Sequence, residues 1–497
     1  MSCDRLSIIP FELLSLVLEL LNISSTYSLS RTSKFYKMRI IDNGSKGEST
    51  HYLQKIIIDT ISNKYITLFE WLVPIDEMIN INNNPIGQIF YKQATTSGSF
   101  DILKYMIENG FPGDEDACIS AAEHGSISML RWLHIYRCPW DVNTCSAAAR
   151  NGHLEVLRWL HNNKCRWDEN TCAAAALNGH LDVLKWLRNN GCPWNTNTCM
   201  NAAENGHLGL LKWLRKNECP WNTHTCASAA ENGHLGLLKW LHENKCPWDT
   251  HTCACAALNG HFEVLKWLHE NKCPWNTDAY DAASQNGHLE ILKWLRENQC
   301  PWDMDTCNNA AYAGQLEVLK WLYENGCPLN DIVRNSAAEN GHLEVLQWLH
   351  DNGCQWDVKM YASAALNGHL EILKWLHDNG CQLNAKMYVN AALHGHLEIL
   401  KWLHENECPC DFDTCSYAAL NGHLEILKWL HENGCPWDTY TCANAARNGH
   451  LKVLKWLHKN GCPWDEKTST AAARNDHLEV LTWLCKNGCP IDETTWI

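Results

Sequence analysis

The apolar residues of the chain fall into short segments whose spacing matches an α-helix. In HLDVLKWLRNN, residues 180–190, the apolar side chains cover an arc of about 160° when drawn at 100° per residue: Val183, Leu184, Trp186 and Leu187. The charged residues of the segment lie on the other side. So wide an arc predicts a buried helix that contacts a neighbour on either flank, and it assigns the tryptophan to the core.

An Ala-rich segment precedes this one and predicts a partner helix. Asp168 is a good N-cap, worth about 1 kcal/mol, and the helix that follows is expected to run to Asn178. Gly179 is expected to end it, because glycine takes a positive φ without strain. The second helix is expected to stop at Gly191. The small alanines let the two helices approach closely.

This helix–turn–helix unit repeats every 27 residues. The turn glycine recurs as Gly98, Gly125 and Gly152 and continues without a slip to Asp476. Asp or Asn recurs at the N-cap, as at Asp141. A unit this short cannot bury its own apolar face, so stacked neighbours must cover it. The pattern predicts an all-α solenoid of about fifteen helix–turn–helix repeats.

Charge and composition narrow the partners. The chain has a formal net charge of −15, from 41 basic and 56 acidic residues, and no run of Lys or Arg. Nucleic-acid binding rests on neutralised phosphates and binding to anionic membranes on polybasic segments, so neither partner is expected. No transmembrane helix or signal peptide is predicted. We therefore expect a cytoplasmic chain whose 27 cysteines sit where disulfides are rare.

The run A-A-x-x-G-H-L-E-V-L-K-W-L-x-x-x-G resembles the helix-pair signature of ankyrin repeats, and it recurs over about four-fifths of the chain. The usual ankyrin period is about 33 residues, and the family's Thr-Pro-Leu-His start is reduced here to Thr171 and Cys172. The resemblance implies an ankyrin-like solenoid that binds proteins. The shorter connector implies a missing or stunted β-hairpin finger, which leaves the first-helix face as the binding surface.

The chain is also similar to the ankyrin-like repeat proteins encoded by large DNA viruses of protists. That similarity implies a viral protein, which would act in the host cytoplasm.

The N-terminal segment IIPFELLSLVLELL, residues 8–21, has a different pattern. It resembles an F-box, the short helical motif that docks on the adaptor of Skp–cullin–F-box ubiquitin ligases. The resemblance assigns the docking residues to Pro10, Glu12, Leu13, Leu14, Val17, Leu18 and Leu21. A proline near a helix start and an apolar stripe that enters a partner's groove agree with this interpretation. The alternative is an N-terminal cap whose stripe packs on the solenoid.

Three segments follow from these patterns. Residues 1–42 form the F-box-like helical module. Residues 43–92 form a linker and a degenerate capping repeat, in which Trp71 resembles the later repeat tryptophans. Residues 93–497 form the repeat solenoid.

Cysteine recurs in every unit, and packing competes with chemistry as its explanation. One series follows the second helix, from Cys138 to Cys489, and another lies in the first helix, as at Cys145. Free cysteine packs as a small hydrophobe, and equivalent cysteines of stacked repeats lie about 8–10 Å apart, beyond disulfide reach. Zinc needs four ligands, whereas HNNKC, residues 161–165, supplies two. Packing is favoured over a metal site or a catalytic thiol, and no cofactor is expected.

Histidine and tryptophan also recur. Ser126 and Gln315 replace the histidine of the Gly-His turn, which favours a hydrogen bonder at the turn over imidazole chemistry. The tryptophan of the CPW connector is exchanged for apolar residues, which favours packing over stacking on bases or sugars: Leu329, Leu383, Cys410 and Ile491.

Function is expected where the units differ while the frame stays fixed. The place two residues before the turn glycine varies most and forms the candidate client-binding face: Arg150, Leu177, Glu204, Glu231, Leu258, Gln285, Tyr312, Glu339, Leu366, Leu393, Leu420 and Arg447. Residues four positions earlier are expected on the same face by their i, i+4 spacing: Ser146, Ala173, Met200, Ala227 and Asp281.

Two parts of this face suggest partners. Leu366, Leu393 and Leu420 form an apolar strip that suits a protein, and Glu204 with Glu231 suits a basic segment. The alternative is a merely solvated face.

The leading functional hypothesis is non-enzymatic, because a site copied in a dozen repeats lacks the single preorganised constellation that catalysis needs. The chain is expected to recruit a substrate protein to a Skp–cullin–F-box type ubiquitin ligase. A plain interaction scaffold without a ligase link is the alternative, and a metalloprotein or enzyme is a third hypothesis.

Overall fold

The computed structural model describes residues 85–111, 113–354 and 358–491. In these residues the chain forms 30 α-helices and no β-strand, which confirms the all-α solenoid. The chain divides into two compact units, the first ending at Pro247 and the second beginning at Trp248. None of the helices in the described ranges is both long and apolar enough to cross a membrane.

The helices of the first unit are α1 (Pro85–Thr96), α2 (Phe100–Glu108), α3 (Glu115–Glu123), α4 (Ile127–Ile135), α5 (Val142–Arg150), α6 (Leu154–Asn162), α7 (Glu169–Leu177), α8 (Leu181–Asn189), α9 (Thr196–Glu204), α10 (Leu208–Lys216), α11 (Thr223–Glu231) and α12 (Leu235–Glu243).

The helices of the second unit are α13 (Thr250–Leu258), α14 (Phe262–Glu270), α15 (Thr277–Gln285), α16 (Leu289–Glu297), α17 (Met304–Tyr312), α18 (Leu316–Glu324), α19 (Asp331–Glu339), α20 (Leu343–Asp351), α21 (Val358–Leu366), α22 (Leu370–Asp378), α23 (Ala385–His394), α24 (Leu397–Glu405), α25 (Phe412–Leu420), α26 (Leu424–Glu432), α27 (Thr439–Arg447), α28 (Leu451–Lys459), α29 (Glu466–Arg474) and α30 (Leu478–Lys486).

The F-box-like segment and the degenerate repeat around Trp71 lie outside the described residues. Helix α1 runs across the predicted segment boundary between residues 92 and 93. The division into three segments therefore stays a prediction.

The first helix of a repeat begins at the predicted cap. Asp141 Oδ1 accepts hydrogen bonds from the N–H groups of Asn143 (2.9 Å) and Thr144 (3.3 Å). In return, Thr144 Oγ1 accepts from the N–H of Asp141 at 3.4 Å. This reciprocal box satisfies N–H groups that a helix start leaves unpaired. The sequence reasoning found the aspartate but missed the threonine.

Glycines follow both helices of the repeat at the two predicted turns. Gly179 follows α7 with φ +75°, and Gly191 follows α8 with φ +81°. In many repeats a residue other than glycine follows the second helix, at the place of Gly191, and has the same left-handed conformation. Examples are Lys164 (φ +63°) and Glu218 (φ +61°). Such residues carry a strain that glycine avoids.

Neighbouring repeats pack mainly through their first helices. In the first unit α3, α5, α7, α9 and α11 contact one another in sequence, and in the second unit α13 to α29 do the same through the odd-numbered helices. Each second helix packs on the first helix of its own repeat. The alanines of the first helix and the Val and Leu of the second are buried; Ala175, Ala176, Leu184 and Leu187 are fully inaccessible.

The helix tryptophans are not core residues. Trp186 and its equivalents, such as Trp159 and Trp213, are half-buried, so their assignment to the core was wrong. The apolar arc of the second helix is wider than the interface it forms. Trp186 lies at the edge of this arc, where Trp167 in the connector of the preceding repeat covers part of its ring.

Candidate protein-binding face

The twelve variable positions lie at the C-terminal end of the first helices. Six are exposed: Arg150, Glu204, Gln285, Tyr312, Glu339 and Arg447. Six are half-buried: Leu177, Glu231, Leu258, Leu366, Leu393 and Leu420. None is buried, so part of each residue is accessible to solvent.

The backbone of a variable position is held by the next repeat. Nε2 of His207 lies 3.1 Å from the carbonyl oxygen of Leu177, and Nε2 of His342 lies 2.8 Å from that of Tyr312. A carbonyl oxygen only accepts, so Nε2 carries the hydrogen. We call this bond the histidine latch. Because it uses the carbonyl, the latch tolerates any side chain at the variable position.

The latch refines the interpretation of the Gly-His histidine. It is a hydrogen bonder, as predicted, but its partner lies in the preceding repeat. Gln315 makes the same bond to Gln285 O at 3.3 Å, whereas Ser126 accepts from Met129 N at the start of its own helix. A side chain on Gly179 would come within 2.7 Å of His207, so the turn glycine also makes room for the latch.

The residues predicted to share the face with the variable positions do so in some repeats and not in others. Ala173 and Ala227 are buried, and Asp281 is half-buried, with Oδ1 accepting a 2.9 Å hydrogen bond from Thr306. Burial raises the pKa of Asp281. The predicted i, i+4 relation holds, but this position is turned toward the first helix of the following repeat. Asn201 of that helix donates to Ala173 O at 3.0 Å.

In the first helices from α3 onward the second and ninth residues keep an accessible surface, whereas the sixth is accessible in some helices and buried in others, as Ala174 is in α7. We call these three positions the stripe. In α23 they are Lys386, Asn390 and Leu393, of which Lys386 is exposed and the others half-buried. Their i, i+4, i+7 spacing places them on one side of the helix. The sixth residue also links repeats, since Asn390 donates to Ala362 O at 3.0 Å.

The cysteines are mostly buried but are not isolated. The first-helix cysteine contacts the connector cysteine 20 residues later in the same repeat, as Cys145 contacts Cys165 and Cys172 contacts Cys192. Cys307 and Cys327 form a disulfide with a Cα–Cα distance of 6.6 Å. Disulfide reach was judged from the sequence only between equivalent cysteines of neighbouring repeats, so this pairing within one repeat was not predicted.

The buried thiols are poorly suited to chemistry. Hydrogen bonding to Cys165 and burial raise the pKa of Cys145, and burial raises the pKa of Cys118 to about 12. A thiol that stays protonated is a weak nucleophile and a weak metal ligand. In the described ranges no three His, Cys, Asp or Glu residues are grouped so that they could hold a metal ion.

The connector tryptophans pack, as predicted. The residues that cover them explain why His and Arg replace each other near the end of the second helix. His161 stacks on Trp167 with ring centroids 4.3 Å apart, and Trp186 of the next repeat meets Trp167 edge to face at 5.7 Å. In the following repeat the Arg188 guanidinium lies 4.3 Å from the ring centre of Trp194. A planar group covers the indole in both cases, so His and Arg exchange here for a stacking reason.

Comparison with known proteins agrees with this architecture. The model of the ankyrin repeat family (three copies) matches residues 118–198, 145–225, 224–306, 307–387, 335–415, 359–439 and 415–495. No curated protein matches.

Among solved structures, the human ASB11 ankyrin repeat domain is 21% identical, covers 32% of this chain and 84% of its own, and has a TM-score of 0.28. The pentatricopeptide repeat protein PPR10 from maize is 12% identical, covers 100% of this chain and 94% of its own, with a TM-score of 0.30. The ankyrin repeat model spans well over half of the sequence. The chain belongs to the ankyrin repeat family and is a protein–protein interaction scaffold.

Proposed function

We propose that this scaffold is a substrate-recruiting adaptor of a Skp–cullin–F-box type ubiquitin ligase. The repeats bind a client protein, and residues 8–21 bind the ligase adaptor. The observation that carries the client-binding half is the histidine latch. It holds the backbone of variable positions such as Leu177, Glu204 and Tyr312 while leaving the side chain to differ from repeat to repeat.

The ligase half of the proposal rests on the apolar pattern of the N-terminal segment. Pro10 precedes a row of apolar residues that suits a groove in a partner: Leu13, Leu14, Val17, Leu18 and Leu21. The role is non-enzymatic, and the location is the cytoplasm, that of the host if the chain is viral.

A pull-down with the ligase adaptor tests this half. Leu13→Asp with Leu14→Asp should abolish retention of the full chain by the ligase adaptor, because two charges enter the apolar row. The chain with Ser15→Asp, which adds a charge outside that row, is the matched control and should be retained. If the Leu13→Asp/Leu14→Asp chain is retained as well as the control, the chain is an interaction scaffold without a ligase link.

Charge reversal tests the client-binding half. Glu204→Lys with Glu231→Lys should weaken binding of a Lys-rich peptide, because both side chains lie on the stripe of α9 and α11. Glu243→Lys changes an exposed residue of a second helix and should leave the affinity unchanged. A lower unfolding temperature in the double variant, with unchanged affinity, would show that these residues support the fold instead.

A further inference from the structure

We propose that the stripe of α21, α23, α25, α27 and α29 binds an acidic segment of a partner protein that carries apolar side chains at intervals. This inference rests on the proposed client-binding role of the repeats and names the chemistry of one client. The five helices contact one another in sequence within the second unit. Their stripes therefore lie side by side.

The stripe of these helices has an apolar band. Leu366, Leu393 and Leu420 occupy the ninth position of three successive first helices and are half-buried. Tyr417 is 38% exposed and Tyr440 is 51% exposed. A contiguous apolar band on an exposed face is typical of a surface that binds protein.

The same stripe is basic, although the chain is acidic overall. It carries five cationic residues and one carboxylate, Asp413, in a chain of net charge −15. The cationic residues are Lys359, Lys386, Arg447, Lys467 and Arg474. Lys467 of α29 reaches the neighbouring first helix α27, where its Nζ lies 3.1 Å from Tyr440 Oη and 4.6 Å from the centre of the tyrosine ring.

Three of the second helices, α22, α24 and α26, treat a lysine differently. Lys374, Lys401 and Lys428 each pair with the glutamate three residues earlier, at 2.9, 2.7 and 2.7 Å. On the stripe, no carboxylate within the described ranges forms an ion pair with Lys386, Arg447 or Arg474. Three repeats therefore neutralise a lysine of the second helix, while the stripe keeps positive charge beside the leucine band.

The spacing of the repeats suggests the spacing of the partner. Packed helices lie about 8–10 Å apart, and a chain in the extended polyproline II conformation rises about 3.1 Å per residue with about three residues per turn. An extended segment therefore meets a new repeat about every third residue. A leucine at every third position, with glutamates between, matches the leucine band and the adjacent cations. Leucines are a poor surface for a sugar–phosphate backbone, so a protein segment fits better than nucleic acid.

Fluorescence anisotropy with the full chain tests the proposal. The probe is a labelled peptide with Leu at every third position and Glu between. One control peptide has Ser for Leu, another has the same composition with its leucines clustered, and a single-stranded RNA probes the other class of ligand. The first peptide should bind at least about tenfold more tightly than either control peptide and the RNA, and binding should weaken with salt.

Variants locate the site. Lys386→Glu with Arg447→Glu should weaken binding of the peptide about tenfold or more. Lys452→Glu with Lys455→Glu makes the same charge change on exposed residues of the second helix α28 and should have little effect. Circular dichroism checks that both variants fold.

Equal weakening by both pairs, no binding of the peptide, or tighter binding of the RNA would each overturn the proposal. The pull-down with the ligase adaptor depends on residues 8–21, so it separates failure of this inference from failure of the ligase role. Loss of Lys-rich peptide binding in the Glu204 and Glu231 variant tests client binding independently.

Discussion

The stripe of the first unit and that of the last five first helices use the same frame with opposite charge. On α3 to α11 the stripe holds Asp116, Glu123, Glu204 and Glu231 against Arg150. On α21 to α29 five cations stand against Asp413. Both regions nevertheless share the capping residue, the turn glycine and the latch. The frame is built from buried side chains and backbone groups, so surface charge is free to change along the chain.

The largest effects should come from the shared frame and should be similar in both regions. Leu184→Ala in α8 and Leu427→Ala in α26 each remove a fully buried side chain. Each should lower the free energy of unfolding by about 2–5 kcal/mol, measured by urea denaturation followed by circular dichroism. Leu478, which is 70% exposed, gives the matched control, and Leu478→Ala should cost less than about 0.5 kcal/mol. A large loss of unfolding free energy in one region alone would show that the two regions do not share one frame.

Loss of a latch should have an intermediate effect. His207→Ala and His423→Ala leave the carbonyl oxygens of Leu177 and Leu393 without the imidazole donor, which should cost about 1 kcal/mol. Leu393 O keeps a 2.7 Å hydrogen bond from Asn421, so the loss should be smaller there. Glutamine should restore most of the stability, as Gln315 makes the same bond naturally. Equal losses in the Ala and Gln variants would contradict the latch.

A smaller effect of opposite sign is expected after the second helices. Both units have residues with side chains in the left-handed place, as at Lys164 and Glu218 in the first, but the second more often has glycine there, as at Gly434, Gly461 and Gly488. Lys164→Gly should stabilise the first unit by roughly 0.5–1 kcal/mol, since glycine relieves the strain. The reverse change, Gly461→Lys, should destabilise the second. A destabilised Lys164→Gly variant would show that the lysine makes a contact worth more than its strain.

Features that depend on local sequence were predictable. Asp141 caps its helix and Gly179 ends one because each acts within a few residues of itself. Features that depend on the rotation of one helix against another were not. Ala173 and Ala227 were placed on the exposed face but are buried, because their position is turned toward the next repeat. The latch partner of His207 is 30 residues away, which a single repeat does not reveal.

Pairing within a repeat also needed the structure. Cys307 and Cys327 are 20 residues apart, at the first helix and at the connector. Their contact follows from the return of the second helix along the first. An alignment of the two cysteine series by repeat would have suggested it, because the spacing of 20 recurs from Cys145 and Cys165 onward. The half-exposed Trp186 gives no such signal.

On this proposal the stripe determines the partner and the frame determines stability. An exchange variant, with Glu204→Lys, Glu231→Lys, Lys386→Glu and Arg447→Glu, tests it most directly, because its net charge is unchanged at −15. Its affinity for the peptide with Leu at every third position should fall about tenfold, since the new cations lie away from the leucine band, and its urea midpoint should match that of the parent chain. Unchanged affinity, or a lowered midpoint, would contradict the account.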